Sequence, residues 1–183
     1  MKVEFCGAGS RDPDNWQASS SRLVNCYREA SQGKTGHIIK SDLGTTAFSS
    51  VSGVFFRAMA EIEGNLYVSC GSALHKIDVS GGAVRLGATA DSAEASIAGN
   101  NGDVTLCVGG NYYVWDGASL STPSAGAFSS FGSLDYVGNY TVLTELNGRR
   151  FQWSALADAG TLPGLNFSSA DGRDDKIIRG AAI

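Results

Sequence analysis

The sequence predicts an all-β fold, a β-propeller-like array of about three four-stranded blades. Two observations predict it. The first is a repeat: Glu63-Gly64-Asn65-Leu66-Tyr67-Val68, Asn101-Gly102-Asp103-Val104-Thr105-Leu106 and Val137-Gly138-Asn139-Tyr140-Thr141-Val142 share one pattern. Each is a Gly-Asn or Gly-Asp turn running directly into a β-rich strand. The glycines lie 38 residues apart (64 to 102) and then 36 apart (102 to 138). A fixed period in this range marks an array in which each unit buries its apolar face against the next. Units of about 40 residues built from short strands have the length of propeller blades. The second observation is composition. The 183 residues include 24 Gly but only 3 Pro, 43% are apolar, and no window sustains a 3.6-residue apolar period.

The elements of one unit follow in order. A short strand precedes each turn, at residues 55–62, 95–98 and 134–137. The strand after the turn ends at a second turn: Gly71-Ser72, Gly109-Gly110-Asn111 or Leu146-Asn147-Gly148. Gly and Asn accept the positive φ that tight hairpins require. Thirteen residues after each repeat glycine stands a large apolar residue in a third strand: Ile77, Trp115 and Phe151. Residues 83–86 and 120–122 read as outer strands. Four strands per unit make a blade. The matched positions nominate Leu66, Val68, Ile77, Val104, Leu106, Trp115, Val142 and Phe151 as core. A β-sandwich with evenly spaced hairpins is the alternative, but a sandwich does not require the spacing to recur.

Residues 1–52 lie outside the repeat and read as a non-repeat docking segment; residues 53–183 hold the repeat region. Within the first part, residues 15–30 are the best helical candidate, interrupted by Ser19-Ser20-Ser21, while Ile38-Ile39-Lys40 reads as a short strand. At the other end, Lys176-Ile177-Ile178-Arg179 resembles the opening strand of a further unit. Three units do not close a propeller, which has four to eight blades. The expectation is therefore an incomplete array belonging to a longer propeller chain, with completion by other subunits as the alternative.

The formal charge of −4 and the scattered basic residues give no electrostatic footprint for general nucleic-acid binding. No apolar run approaches membrane-spanning length, and the residues from Met1 to Cys6 form no apolar leader. Synthesis in a cytosol follows as an expectation. The four cysteines, Cys6, Cys26, Cys70 and Cys107, show no metal-binding spacing, and the two histidines, His37 and His75, lie in separate segments. Free thiols, with Cys70 and Cys107 as small buried apolar residues, are expected.

No motif carries chemistry. Gln32-Gly33-Lys34-Thr35 resembles the end of a phosphate-binding loop, but Arg28 stands where its first glycine is needed. Asp12-Pro13-Asp14-Asn15 and Asp171-Gly172-Arg173-Asp174-Asp175 lack calcium-loop spacing and read as solvated turns. Neither histidine has a triad-like context. Asp78, Asp116 and Asp135 are expected at or near strand ends, where they terminate strands rather than pair for glycoside hydrolysis. No catalytic, cofactor-binding or metal-ligating residue is assigned, and no enzymatic activity is expected.

Two segments carry a family resemblance. Ser21-Arg22-Leu23-Val24-Asn25-Cys26-Tyr27-Arg28-Glu29, followed by a Gly/Lys loop and Leu43-Gly44-Thr45, resembles the N-terminal signature R-x-V-N-x-Y-x-E … G-T-P-G of the tail hub proteins of short-tailed, P22-like phages, also called packaged-DNA stabilisation or tail accessory proteins. Thr46-Ala47 departs from the final Pro-Gly. Phe151-Gln152-Trp153-Ser154-Ala155-Leu156, with Leu165 to Gly172 and Asp175-Lys176, is similar to a blade end of that family. The resemblance implies a structural virion component made in the host cytoplasm. It further implies a homo-oligomeric ring below the portal and its adaptor that closes the DNA exit channel. Such a ring anchors needle, spike or fibre proteins and meets double-stranded DNA only as passing cargo. The competing reading is a carbohydrate-binding or glycan-cleaving propeller, with Tyr112, Tyr113, Trp115 and Trp153 stacking on sugar rings.

Overall fold

The computed structural model describes residues 26–30, 37–41, 46–51, 55–91, 94–124, 126–170, 172 and 175–177, the first two stretches as backbone alone. The chain divides into two compact units, Met1–Ala47 and Phe48–Ile183.

In the first unit, β1 (Cys26–Ala30) pairs antiparallel with β2 (His37–Ser41), Cys26 facing Ser41 and Ala30 facing His37. The expected strand at residues 38–40 is therefore present. The end of the helical candidate, Cys26–Ala30, is a strand instead. Pairing with a partner rich in β-branched residues overrides a weak local helical preference. The rest of that candidate, the Gln32–Thr35 stretch and the Asp12–Asn15 turn lie outside the described residues.

The second unit holds three four-stranded antiparallel sheets, and no helix occurs among the described residues. Blade 1 is β3 (Phe56–Ile62), β4 (Asn65–Cys70), β5 (Ala73–Ile77) and β6 (Ala83–Ala88), paired in that order. Blade 2 is β7 (Ala95–Asn100), β8 (Asp103–Val108), β9 (Asn111–Trp115) and β10 (Leu120–Ser121). Blade 3 is β11 (Phe131–Val137), β12 (Tyr140–Glu145), β13 (Arg150–Trp153) and β14 (Phe167–Ser169). The first strands of successive blades lie side by side, β3 against β7 and β7 against β11. The sheets thus fan out from their first strands. Of the tail that reads as an opening strand, residues 176 and 177 are not strand and the rest lies outside the described residues.

The repeated turns are two-residue hairpins with both central residues at positive φ: Glu63 (51°) and Gly64 (76°), Asn101 (50°) and Gly102 (91°), Gly138 (56°) and Asn139 (69°). This is the turn whose twist matches that of paired strands. In blades 1 and 2 glycine is the second turn residue; in blade 3 it is the first. Asn139, not Gly138, is therefore the structural counterpart of Gly64 and Gly102. The true spacings are 38 residues (64 to 102) and 37 (102 to 139).

That single residue decides which side chains are core, because a one-residue slip turns a strand over. Val68, Ile77, Val104 and Leu106 are buried as expected. Val142 and Phe151 are only half-buried. In their place Leu143 and Gln152, which face each other across β12 and β13, are fully buried. They correspond to Leu106 opposite Tyr113 and to Val68 opposite His75. The thirteen-residue spacing to Phe151 was matched by coincidence. Residues 146–149 form a longer hairpin loop between Glu145 and Arg150, so Ser154 is the counterpart of Ile77 and Trp115. Leu66 and Trp115, also expected as core, are half-buried because they sit at the flanks of the clusters they join.

Each junction follows one rule. The face of a blade that carries Val104, Leu106 and Val108, here its leading face, packs on Tyr67 and Leu74 from the trailing face of the blade before. At the next junction Phe131, Leu134 and Leu143 pack on Cys107, Tyr112 and Val114. Close backbone approach contributes: a Cβ on Gly99 would meet Ile62 Cγ2 at 2.8 Å, and one on Gly87 would meet Leu120 at 2.8 Å.

Candidate interaction surfaces

Among the described residues, Asp78 and Asp116 are committed to their own turns. Asp78 Oδ1 accepts hydrogen bonds from Ser80 N (2.8 Å), Ser80 Oγ (2.6 Å) and Gly82 N (2.9 Å). Asp116 Oδ1 accepts from Ala118 N (2.8 Å) and Ser119 N (2.7 Å). The Ser80 hydroxyl foremost for Asp78, and the Ser119 amide for Asp116, hold these carboxyls below the usual range. Both residues end strands by capping their own turns, as expected. Asp135 departs from that expectation: it lies inside β11, where it faces Val142 and its Oδ1 accepts from Tyr136 N at 2.8 Å.

Cys70 and Cys107 are free and buried, and burial pushes the Cys107 thiol up to about 12, away from nucleophilic use. Cys6 lies outside the described residues. His75 is buried, and neither ring nitrogen has a hydrogen bond of normal geometry. Burial first, and the Arg85 charge second, lower its pKa, partly opposed by the Val68 backbone. Among the described residues no group of three or more His, Cys, Asp or Glu side chains could hold a metal ion. Asp171 and Asp174 are outside them.

The four aromatics of the sugar-stacking reading separate. Tyr112 is 1% exposed and donates its hydroxyl to Ala159 O at 2.9 Å. Tyr113 accepts from Ala90 N at 3.0 Å, and both it and Trp115 flank the junction of blades 1 and 2. These three are inter-blade structure. Trp153 alone of the four sits on the trailing face of blade 3, tilted against Phe151 with ring centroids 6.2 Å apart.

Two sheet faces carry incompletely covered apolar side chains, besides more exposed residues in turns such as Val79 and Leu165. On the leading face of blade 1, Phe56 and Met59 are each 62% exposed. Met59 faces Val68 across the sheet, so it occupies the position of Leu134, which faces Leu143 and is buried. Val51 packs on this face against the cluster of Val68, Cys70 and Ile77. On the trailing face of blade 3, Val142, Phe151 and Trp153 are half-buried. Phe151 corresponds to Leu74 and Tyr112, which the following blades cover. Sequence reasoning assigned Phe151 and Val142 to the core and passed over Phe56 and Met59. The signal for the second pair was their register with Val68, hidden by the irregularity between Phe56 and Ala58.

The family model described as bacteriophage P22 Gp10, beta-propeller, a phage stabilisation family, matches residues 8–182. The chain belongs to that family. Membership agrees with the three sheets and with a structural role in a phage. Among solved structures, the crystal structure of the computationally designed Ika8 protein resembles the chain with a TM-score of 0.52 at 16% identity. That likeness concerns the fold alone. It covers 86% of this chain and 49% of the designed one, so the chain spans about half the length of that structure. No protein of curated function matches.

Proposed function

We propose that this phage stabilisation family member is a structural component of the virion tail. In this reading it forms a homo-oligomeric hub below the portal and its adaptor, closes the DNA exit channel and anchors needle, spike or fibre proteins. The observation that carries the reading is the family match over residues 8–182. Two features support it. Among the described residues, Asp78 and Asp116 are spent on turns and Cys107 and Tyr112 on a blade junction, as suits a framework protein. The formal charge of −4 gives a surface that does not grip a passing phosphate backbone strongly. Residues 1–52 are the proposed docking arm, being outside the repeat and carrying the hub-like signature.

The test is reconstitution with portal and adaptor proteins from the same phage. The expected result is a stable co-migrating complex that is lost when residues 1–47, the first compact unit, are removed while strand content persists. Failure of the whole chain to associate with either protein overturns the hub assignment.

A further inference from the structure

We propose that residues 46–51, on the way into blade 1, are an acid-released strap. They lie on the sheet while the His75 ring is neutral and let go when that ring takes up a proton. The device is independent of the virion role proposed above.

One position recurs in all three sheets. His75, Tyr113 and Gln152 stand on the third strand of their blades, facing Val68, Leu106 and Leu143. In blades 2 and 3 the side chain there holds the link that leads into its own blade. The Tyr113 hydroxyl accepts from Ala90 N at 3.0 Å, and Gln152 Oε1 accepts from Ala127 N at 2.7 Å. Ala90 lies in the chain just before β7, and Ala127 in the chain just before β11. A side-chain acceptor on the third strand thus latches the incoming link by a backbone N–H.

Blade 1 departs from this. His75 is 3% exposed, and neither ring nitrogen has a hydrogen bond of normal geometry. Its link is held by packing instead. Val51 rests against the cluster of Val68, Cys70 and Ile77, in which Val68 is the residue facing His75. The Phe48 carbonyl fills the space that a Cβ on Gly81 would need. Ser49 Oγ is buried without a hydrogen bond, which is a cost of the closed arrangement. Of the three links, this one lacks the latch and carries an orphan of its own.

A proton on His75 turns an unsatisfied ring into a buried charge, which is far more costly than a neutral polar group unless water or an anion reaches it. The ring's cross-strand neighbours are Val68 and Arg85, and Arg85 carries the same sign. From β4 the cluster offers only the Cys70 thiol. On β3, Glu61 faces Leu66 and accepts from Gly64 N, while Arg57 is paired with Asp91. Residues 46–51 contain no titratable side chain. Water is therefore the partner the charged ring must find, and it enters where the cover is held least. The strands β4 and β5 are hydrogen-bonded on both sides, whereas residues 46–51 belong to no strand. The link lifts and the sheet stays.

The experiment is NMR of the methyl-labelled full chain from about pH 8 to about pH 5, following the Val51 methyls and the His75 ring. The Val51 methyls are expected to pass from packed to random-coil shifts along the His75 titration, with one shared midpoint below the ordinary 6.5. Val104 and Leu143 are expected to keep their shifts throughout. His75→Gln installs the blade 3 residue, which accepts the link amide and takes up no proton, so Val51 should stay packed at every pH. A wild-type Val51 that stays packed across the range overturns the proposal. So does a release that persists in His75→Gln, or one shared by Val104 and Leu143, which marks unfolding of the sheets. Should His75→Gln lose its strand signal in circular dichroism, His75→Tyr, the blade 2 residue, is measured in its place.

Discussion

Asn100 Nδ2 donates to Thr141 Oγ1 at 3.0 Å, joining the last residue of the first strand of blade 2 to the second strand of blade 3. Both side chains are buried, and Asn100 Oδ1 has no partner of its own. Thr141→Val leaves the whole Asn100 amide without a partner in a dry place, and Asn100→Ala deprives Thr141 Oγ1 of that donor. Asn100→Ala and Thr141→Val are each expected to lose about 1–3 kcal/mol in urea unfolding. The double variant is expected to fall short of the sum, because the second change removes only the orphan left by the first. Strict additivity would show that the bond contributes nothing across the junction.

The phase of blade 3 has a direct consequence for neighbouring residues. Leu143→Ala should cost about 2–5 kcal/mol, since Leu143 is fully buried at the junction with blade 2. Val142→Ala, one residue away on the open face, should cost roughly 1 kcal/mol or less. Denaturant midpoints with an unchanged slope provide the comparison. Equal losses would place both faces of β12 in a core.

Buried His75 gives a pH dependence whose sign is set by its lowered pKa. The unfolded chain takes up the proton first, near the ordinary value of 6.5, while the folded form resists it. Stability is therefore full above that value and declines as pH falls below it, towards the lowered folded value. His75→Phe should flatten thermal stability between neutral and mildly acidic pH. An unchanged slope in this variant would assign the decline to other groups.

Asp103 runs in the opposite sense. Burial foremost, then the charges of Asp116 and Asp158, raise its carboxyl above 3.8, so holding it ionised destabilises the fold at neutral pH. Asp103→Asn should raise the melting temperature at pH 7. The gain should shrink as pH falls through the raised value and vanish below the ordinary one. A loss of stability at neutral pH would mean that the Ala159 amide depends on the full carboxylate charge.

Much of the architecture was legible because turn chemistry is local. Positive φ at two successive residues asks for Gly or Asn, so Gly64, Gly102 and the Gly138-Asn139 pair announced the hairpins directly. The strands on either side then followed from their β-rich composition. What the glycines did not announce was their place within the turn, and Val142 and Phe151 were assigned to the wrong face as a result. The junction residues Asn100, Thr141, Gln152 and Ser154 were missed for a different reason. Polar residues in strands look solvent-facing until the neighbouring blade is known. The exposure of Phe56 and Met59, which the matched positions did not single out, was illegible for a related reason: an apolar strand residue shows as exposed only once its face is known to be uncovered.

The offset glycine of blade 3 also bears on how such genes can be cut and rejoined. A recombinant that exchanges units at the second turn residue, Gly64, Gly102 or Asn139, keeps every strand the right way up. Splicing instead at the glycine codons, the boundary an alignment of the repeats would suggest, adds or drops one residue before the third unit. Its apolar and polar sides then trade places, and the hybrid sheet offers Val142 and Phe151 where its neighbour needs Leu143.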